Sequence, residues 1–151
     1  MNNNLIKTQI IMFISMVIVG ILFNPMNILA HKFDHLYFST TLFYGGLLMA
    51  SNMMWSHEIV HYLSMGHFNI YIFMLGIFLS LCSVFLLRNQ VFVNSKNWLK
   101  RMIPHHSTAL TTTNELLKNH NLLKNNPKLY RLGKDIIYNQ EREIIFMKNM
   151  L

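Results

Sequence analysis

The chain has 151 residues, of which 52% are hydrophobic and only 13% charged, about half the charged share of an ordinary soluble domain. Its net charge is +7, yet of the 13 Lys and Arg only Lys7 and Lys32 precede Arg88, and of the six acids only Asp34 and Glu58 do. So uneven a distribution excludes two ordinary soluble domains, and the absence of any aromatic-interleaved basic run argues against a nucleic-acid partner.

A bilayer core takes about 20 mostly apolar residues in a helix. Residues 8–30, 36–56 and 67–87 each meet that length without a charged side chain. The breaks between them carry Asn24-Pro25 with HKFDH at 31–35, then SMGHFN at 64–69, then RNQ at 88–90. Tyr37, Trp55, Tyr71 and Trp98 fall near the ends of these stretches, where amphipathic rings favour a membrane interface. The expectation is a membrane domain over residues 1–90 with three transmembrane helices and a lipid bilayer as partner. A cleaved signal peptide ending near Ala30 is the alternative for the first stretch, but Ile28 is not the small residue such a cut requires. Cys82 is the single cysteine and lies inside the third stretch, so no intrachain disulfide is available.

Short-loop cations favour the tail side: Lys32, Arg88, Lys96, Lys100 and Arg101 against Lys7. The positive-inside rule then places the tail in the cytoplasm. Much of that excess belongs to the tail itself, which leaves its side of the membrane open.

From Ser95 the periodicity becomes helical. Ser95 is a good N-cap, and Pro104 either kinks the helix that follows or starts it as its first residue. Lys118 to Asn126 reads as a polar connection, and Pro127 as the start of a second helix running to the C-terminus. On a helical wheel the second helix shares one face among Leu129, Gly133, Ile136, Ile137, Gln140, Glu143, Ile144, Met147 and Leu151. The matching face of the first helix is read as Trp98, Leu99, Met102, His105, His106, Ala109, Thr113 and Leu116. The residues 95–151 thus form a helical hairpin, too small to be stable alone, which is expected to dimerise into a four-helix bundle or lean on its own membrane part.

The segment MIPHHSTAL at 102–110, followed by the Pro127-led LGKDIIYNQEREIIFMKNML at 132–151, resembles the domain-of-unknown-function family 305. Its pattern is a Met-Ile-Pro-His-His helix followed by a Gln-x-x-Glu-Ile-x-x-Met helix, and the apolar stretches ahead of it resemble the membrane-anchored members. The resemblance implies an all-α, ferritin-like arrangement built from two such hairpins. Some members of that family bind copper or silver, and the motif positions carried over here are Met102, His105, His106, Gln140, Glu143 and Met147. Anchored relatives tend to carry basic residues between the second and third spans, which implies a tail outside the cytoplasm; this chain has only SMGHFN there.

Imidazole with thioether sulfur suits Cu(I) or another soft ion, whereas imidazole with carboxylate also accepts Zn(II) or Cu(II). His105, His106, Met102 and Met147 are therefore the primary metal candidates, with Gln140 and Glu143 as supporting or additional ligands. Met54, His57, Glu58, His61 and Met65 share one helical arc and form a secondary set, and His31 and His35 make a further i, i+4 pair. The alternative for all of them is ordinary: methionine as core filler, and His, Gln and Glu as buried hydrogen-bond partners. Catalysis is not expected. The tail holds no Glu-x-x-His pair of the di-iron kind, no phosphate-binding loop occurs, and the second stretch is not read as a zincin helix. The sequence therefore points to a membrane-anchored, non-enzymatic metal-handling protein, or else to a structural or assembly protein of the membrane.

Overall fold

The computed structural model describes residues 3–118 and 126–151, with side chains from Ile6 onward. Most of the connection read over Lys118 to Asn126 lies outside the described residues. Among the described residues the chain is all-helical, without a strand. It runs α1 (Asn3–Leu22), the single turn α2 (Pro25–Ile28), a 3-10 turn (Phe33–His35), α3 (Thr40–Met65), α4 (Ile70–Arg88), α5 (Ser95–Lys118) and α6 (Pro127–Asn149).

The expectation of three spans is corrected to two. Ile6–Ile28 and Ile70–Arg88 are long and apolar enough to cross a membrane. The helix between them, α3, has 26 residues and ample length. It continues past Ser56 through His57, Glu58, His61 and Ser64, and with Thr40, Thr41, Ser51 and Asn52 these dilute its apolar character. Its length comes from a helix that does not stop where the apolar run stops. Gly66 ends it at φ +71°, a left-handed conformation that glycine adopts without steric cost.

The chain divides into two compact units, Met1–Asn24 with Thr40–Val93, and Pro25–Ser39 with Asn94–Leu151. Residues 25–39, drawn on sequence grounds into the membrane part, therefore group with the tail.

In the first unit α3 packs against both α1 and α4, and close backbone approaches at glycines accompany buried side chains such as Leu42, Met54 and Ile72. A Cβ placed on Gly46 would stand 2.9 Å from the Val17 carbonyl oxygen, and one on Gly20 would stand 2.9 Å from the Gly46 Cα. On the other face, a Cβ on Gly76 of α4 would come within 2.8 Å of the Trp55 amide nitrogen. Small residues at such crossings let helices approach closely, which is how helices associate where water supplies no hydrophobic drive. Polar links reinforce the contacts: Ser80 Oγ donates to Asn52 Oδ1 at 2.9 Å, and Tyr44 OH donates to the Val91 carbonyl at 2.8 Å. Asn69 caps α4, its side chain accepting from the amides of Tyr71 and Ile72 at 3.1 and 3.3 Å.

The second unit is an α5–α6 hairpin with a conventional core of Leu99, Ile103, Leu110, Ile144 and Met147, flanked by Tyr37, Met102, Ile137 and Leu151. Helix α6 starts as its sequence suggests: Asn126 accepts from the Leu129 amide at 3.0 Å and Pro127 occupies the first turn. Pro104 neither starts nor ends α5. It lies inside the helix and is fully buried, so the Lys100 carbonyl loses its regular i+4 donor there.

Candidate functional site

The motif residues of α5 and α6 meet in one layer of the hairpin, but not all of them face inward. His106 Nδ1 lies 3.0 Å from Glu143 Oε2, with the His106 side chain 14% exposed and that of Glu143 46%. The separation suits an ion pair, although the ring N–H is not aligned on the oxygen. Burial pulls the His106 pKa below its usual value, Glu143 opposes that shift, and the neighbouring His105 adds to it. The imidazole is thereby held toward its neutral, ligand-competent form. Met147 is a core residue and Met102 packs on the same cluster, so two thioethers belong to this layer. Gln140 is half-buried.

His105 departs from expectation. It was placed on the buried face and is exposed, its ring centre 6.0 Å from that of His106 at an interplanar angle of 69°. The physical reason is a rotation of the stripe. The buried line of α5 runs through Leu99, Ile103, Ser107, Leu110 and Thr113, one position on from Met102 and His106. On a helix turning 100° per residue that shift carries His105 out toward solvent.

Sequence reasoning missed what covers this hairpin. By sequence, residues 25–39 divide between the end of the first apolar stretch, the HKFDH break at 31–35 and the start of the second stretch, yet in the second unit this segment is hydrogen-bonded to α5. Ser107 Oγ accepts from the His31 amide at 2.7 Å and pairs with His35 Nδ1 at 2.9 Å, while Thr108 Oγ1 donates to the Met26 carbonyl at 3.4 Å. Asp34 pairs with Lys148 of α6. Burial lowers the His35 pKa, with Lys148 acting in the same direction and Asp34 against it, and the Lys148 hydrogen bond lowers that of Asp34. His31, Lys32, His35 and Glu141 border a cleft of about 280 Å³. The mixed HKFDH run was the available signal: two histidines, a cation and an acid in five residues are more than a turn needs.

Ser107, His35 and Asp34 superficially resemble a hydrolytic triad, since His35 Nε2 is 3.8 Å from Asp34 Oδ1. Ser107 is 0% exposed, however, and a hydroxyl sealed in a helix packing face cannot reach a substrate. Its chemistry here is to satisfy the groups that dock the segment.

The secondary set on α3 is only partly assembled. The His57 and His61 rings stack with centres 6.0 Å apart and an interplanar angle of 22°. Glu58 is 3% exposed and turned inward, Met54 is buried beside Gln9 and Ile72 against an apolar cleft, and Met65 is exposed. Among the described residues, no three His, Cys, Asp or Glu side chains converge in a metal-holding group.

The family model "Domain of unknown function (DUF305)" matches residues 88–151, the segment that contains α5 and α6. The chain is 30% identical to "Uncharacterized protein L153" of Acanthamoeba polyphaga mimivirus over 153 aligned positions, covering 100% of this chain and 93% of that protein. No solved structure matches the chain. The match over residues 88–151 supports membership of the domain-of-unknown-function family 305, and the likeness to L153 runs through both helical units.

Proposed function

We propose that this chain is a membrane-anchored, non-enzymatic protein that binds copper or a similar soft ion through the methionines and histidines of its helical hairpin. The observation that carries the reading is His106: a half-buried imidazole, its pKa lowered by burial, in a layer that also contains Met102, Met147 and the Glu143 carboxylate. Neutral imidazole with thioether sulfur selects soft ions, and Glu143 is placed to orient the ring or to serve as a further ligand. His105, exposed beside it, is suited to receive or release an ion at the surface; Gln140 supports the same layer from α6. Anchoring rests on the two apolar helices, against both of which α3 packs through close glycine crossings. The bundle is completed by a second copy: α6 leaves Tyr138, Ile145 and Phe146 exposed along one side of the hairpin.

The test is Cu(I) titration of detergent-purified full-length protein beside the His105→Ala/His106→Ala variant. Near-stoichiometric binding that disappears in the variant is expected. Equal binding by both proteins, or none by the parent, would sink the metal reading at the hairpin.

A second reading is favoured by a specific observation. His106 and Glu143 already partner each other, and Ser107 already bonds the 25–39 segment, so these polar groups have structural employment without any ion. On that reading the protein is a structural or assembly component of the membrane. The double variant then unfolds more easily while the parent retains no copper.

A further inference from the structure

The segment 25–39 is tied to the hairpin by its polar groups and leaves its large apolar side chains uncovered. Its backbone is fixed at both of its turns: the Leu29 amide donates to the Pro25 carbonyl at 2.9 Å, and the Leu36 amide to that of Phe33 at 3.0 Å. Ser107, Thr108 and Lys148 hold it from α5 and α6. Yet Phe33 is 92% exposed, Ile28 66% and Phe38 62%. Single exposed apolar residues are ordinary on a protein surface, but three large ones on one short, firmly bonded segment mark a contact surface.

The chain on either side says what that surface meets. The apolar stretch long enough to cross a membrane runs from Ile6 to Ile28, so it ends inside this segment. At the other end Phe38 stands two residues before α3, which belongs with α1 to the first unit. Phe33 follows Ile28 by five residues, no more than about 18 Å of fully extended chain. The headgroup layer of a bilayer is therefore within its reach. The charge fits as well. Asp34 is spent on Lys148, whereas Lys32 makes no ion pair among the described residues. Eleven of the 13 Lys and Arg lie in the second unit, against five of the six acids.

We propose that Ile28, Phe33 and Phe38 insert into the interface of a bilayer containing anionic phospholipid, with Lys32 on the headgroup phosphates. Apolar side chains at the acyl boundary beside a cation at the phosphates are the pattern of interfacial anchors. The segment is then a strap with two faces of chemistry: its polar groups bind the hairpin, and its apolar side chains bind lipid. This surface rests on the membrane-anchored part of the proposed function and not on its metal.

Nitroxide labels read the depth through their relative access to oxygen and to a water-soluble nickel chelate. The full-length Cys82→Ser protein is labelled at Phe33→Cys or Phe38→Cys, so that one ring stays intact in each sample, and reconstituted into phosphatidylcholine vesicles with a minority of phosphatidylserine. Phe78→Cys, on α4, and Asp135→Cys, on α6, are the lipid and water references; all four side chains are exposed, so labelling spares the packing. The labels at 33 and 38 are expected about 5–10 Å below the phosphates, with the label at 135 in water. Adding Lys32→Glu should draw the label at 33 outward, and an unchanged depth would overturn the role given to Lys32. Labels at 33 and 38 as wet as that at 135 would overturn the proposal while a deep label at 78 keeps the anchoring. A wet label at 78 would sink both. Labels at 33 and 38 shielded from both probes and broadened by spin–spin coupling would assign the surface to a second copy of the chain, against the proposal.

Discussion

The two units bury their helices by different physics. In the α1–α3–α4 unit, glycines bring backbones together and leave large apolar side chains such as Ile14, Phe78 and Phe85 facing outward. In the α5–α6 unit a core of Leu99, Ile103, Leu110, Ile144 and Met147 faces inward, and the tightest neighbour of the glycine at the crossing, Gly133, is the movable tip of Leu117. The first arrangement suits lipid, where side chains gain nothing by hiding from water; the second suits water, where they do. Gly46 and Gly133 are therefore one residue type in two packing environments.

Several substitutions probe that contrast. Ile103→Ala empties a site with no exposed surface in the hairpin and should cost about 2–5 kcal/mol, read by denaturant unfolding of the second unit. A loss well under that range would mean the hairpin core is loosely packed. Gly46→Ala drives a Cβ onto the Val17 carbonyl, a backbone atom that cannot swing aside, so about 1–3 kcal/mol should be lost from the first unit. Protease resistance of α1 in micelles reports it; unchanged resistance would show that the helices are not so closely apposed.

Ser107→Ala leaves the His31 amide and the buried His35 ring without their shared partner, at a cost of about 1–3 kcal/mol. Hydrogen exchange of the His31 amide should accelerate. Retained protection would indicate that the 25–39 segment is held by its apolar contacts alone.

Acid acts in a defined direction. His35 and His106 both have folded pKa values below the usual 6.5, so the unfolded chain takes up protons first as pH falls. Stability of the second unit should be flat above about pH 6.5 and decline below it, and His35→Asn should flatten the decline. A decline that begins only near the carboxylate range would assign it to Asp34 instead. The smallest effect is expected from Gly133→Ala. The gain in helix propensity, about 1 kcal/mol, offsets the displacement of Leu117, and a clear loss comparable to that of Gly46→Ala would erase the distinction between the units.

Much of the helical framework is legible residue by residue. Ser95 and Pro127 mark helix starts, the resemblance of the tail to family 305 is matched over residues 88–151, and the stripe of α6 through Gly133, Ile144 and Met147 follows from its spacing. The α5 face was read one position off because His105 and His106 are adjacent, and a wheel drawn from motif residues cannot say which of two neighbours turns inward. The HKFDH segment gave no periodic signal, since a docked loop is held by single hydrogen bonds rather than by a repeating face. On α3 the residues His57-Glu58-Ile59-Val60-His61 do have the H-E-x-x-H spacing that the expectation against a zincin helix set aside, yet Glu58 is buried and among the described residues no three metal-ligating side chains converge there.

By itself the sequence determined the helices, the division between a nearly uncharged first part and a charged second part, and the donor types available to a metal. Those depend on local propensity, composition and spacing, which neighbours along the chain set among themselves. Only the tertiary structure decided that α3 runs on through His57 and His61, that residues 25–39 join the hairpin, and that His106 is half-buried while His105 is exposed. Each of those outcomes turns on which face meets which partner, and burial is a relation between segments far apart in the chain.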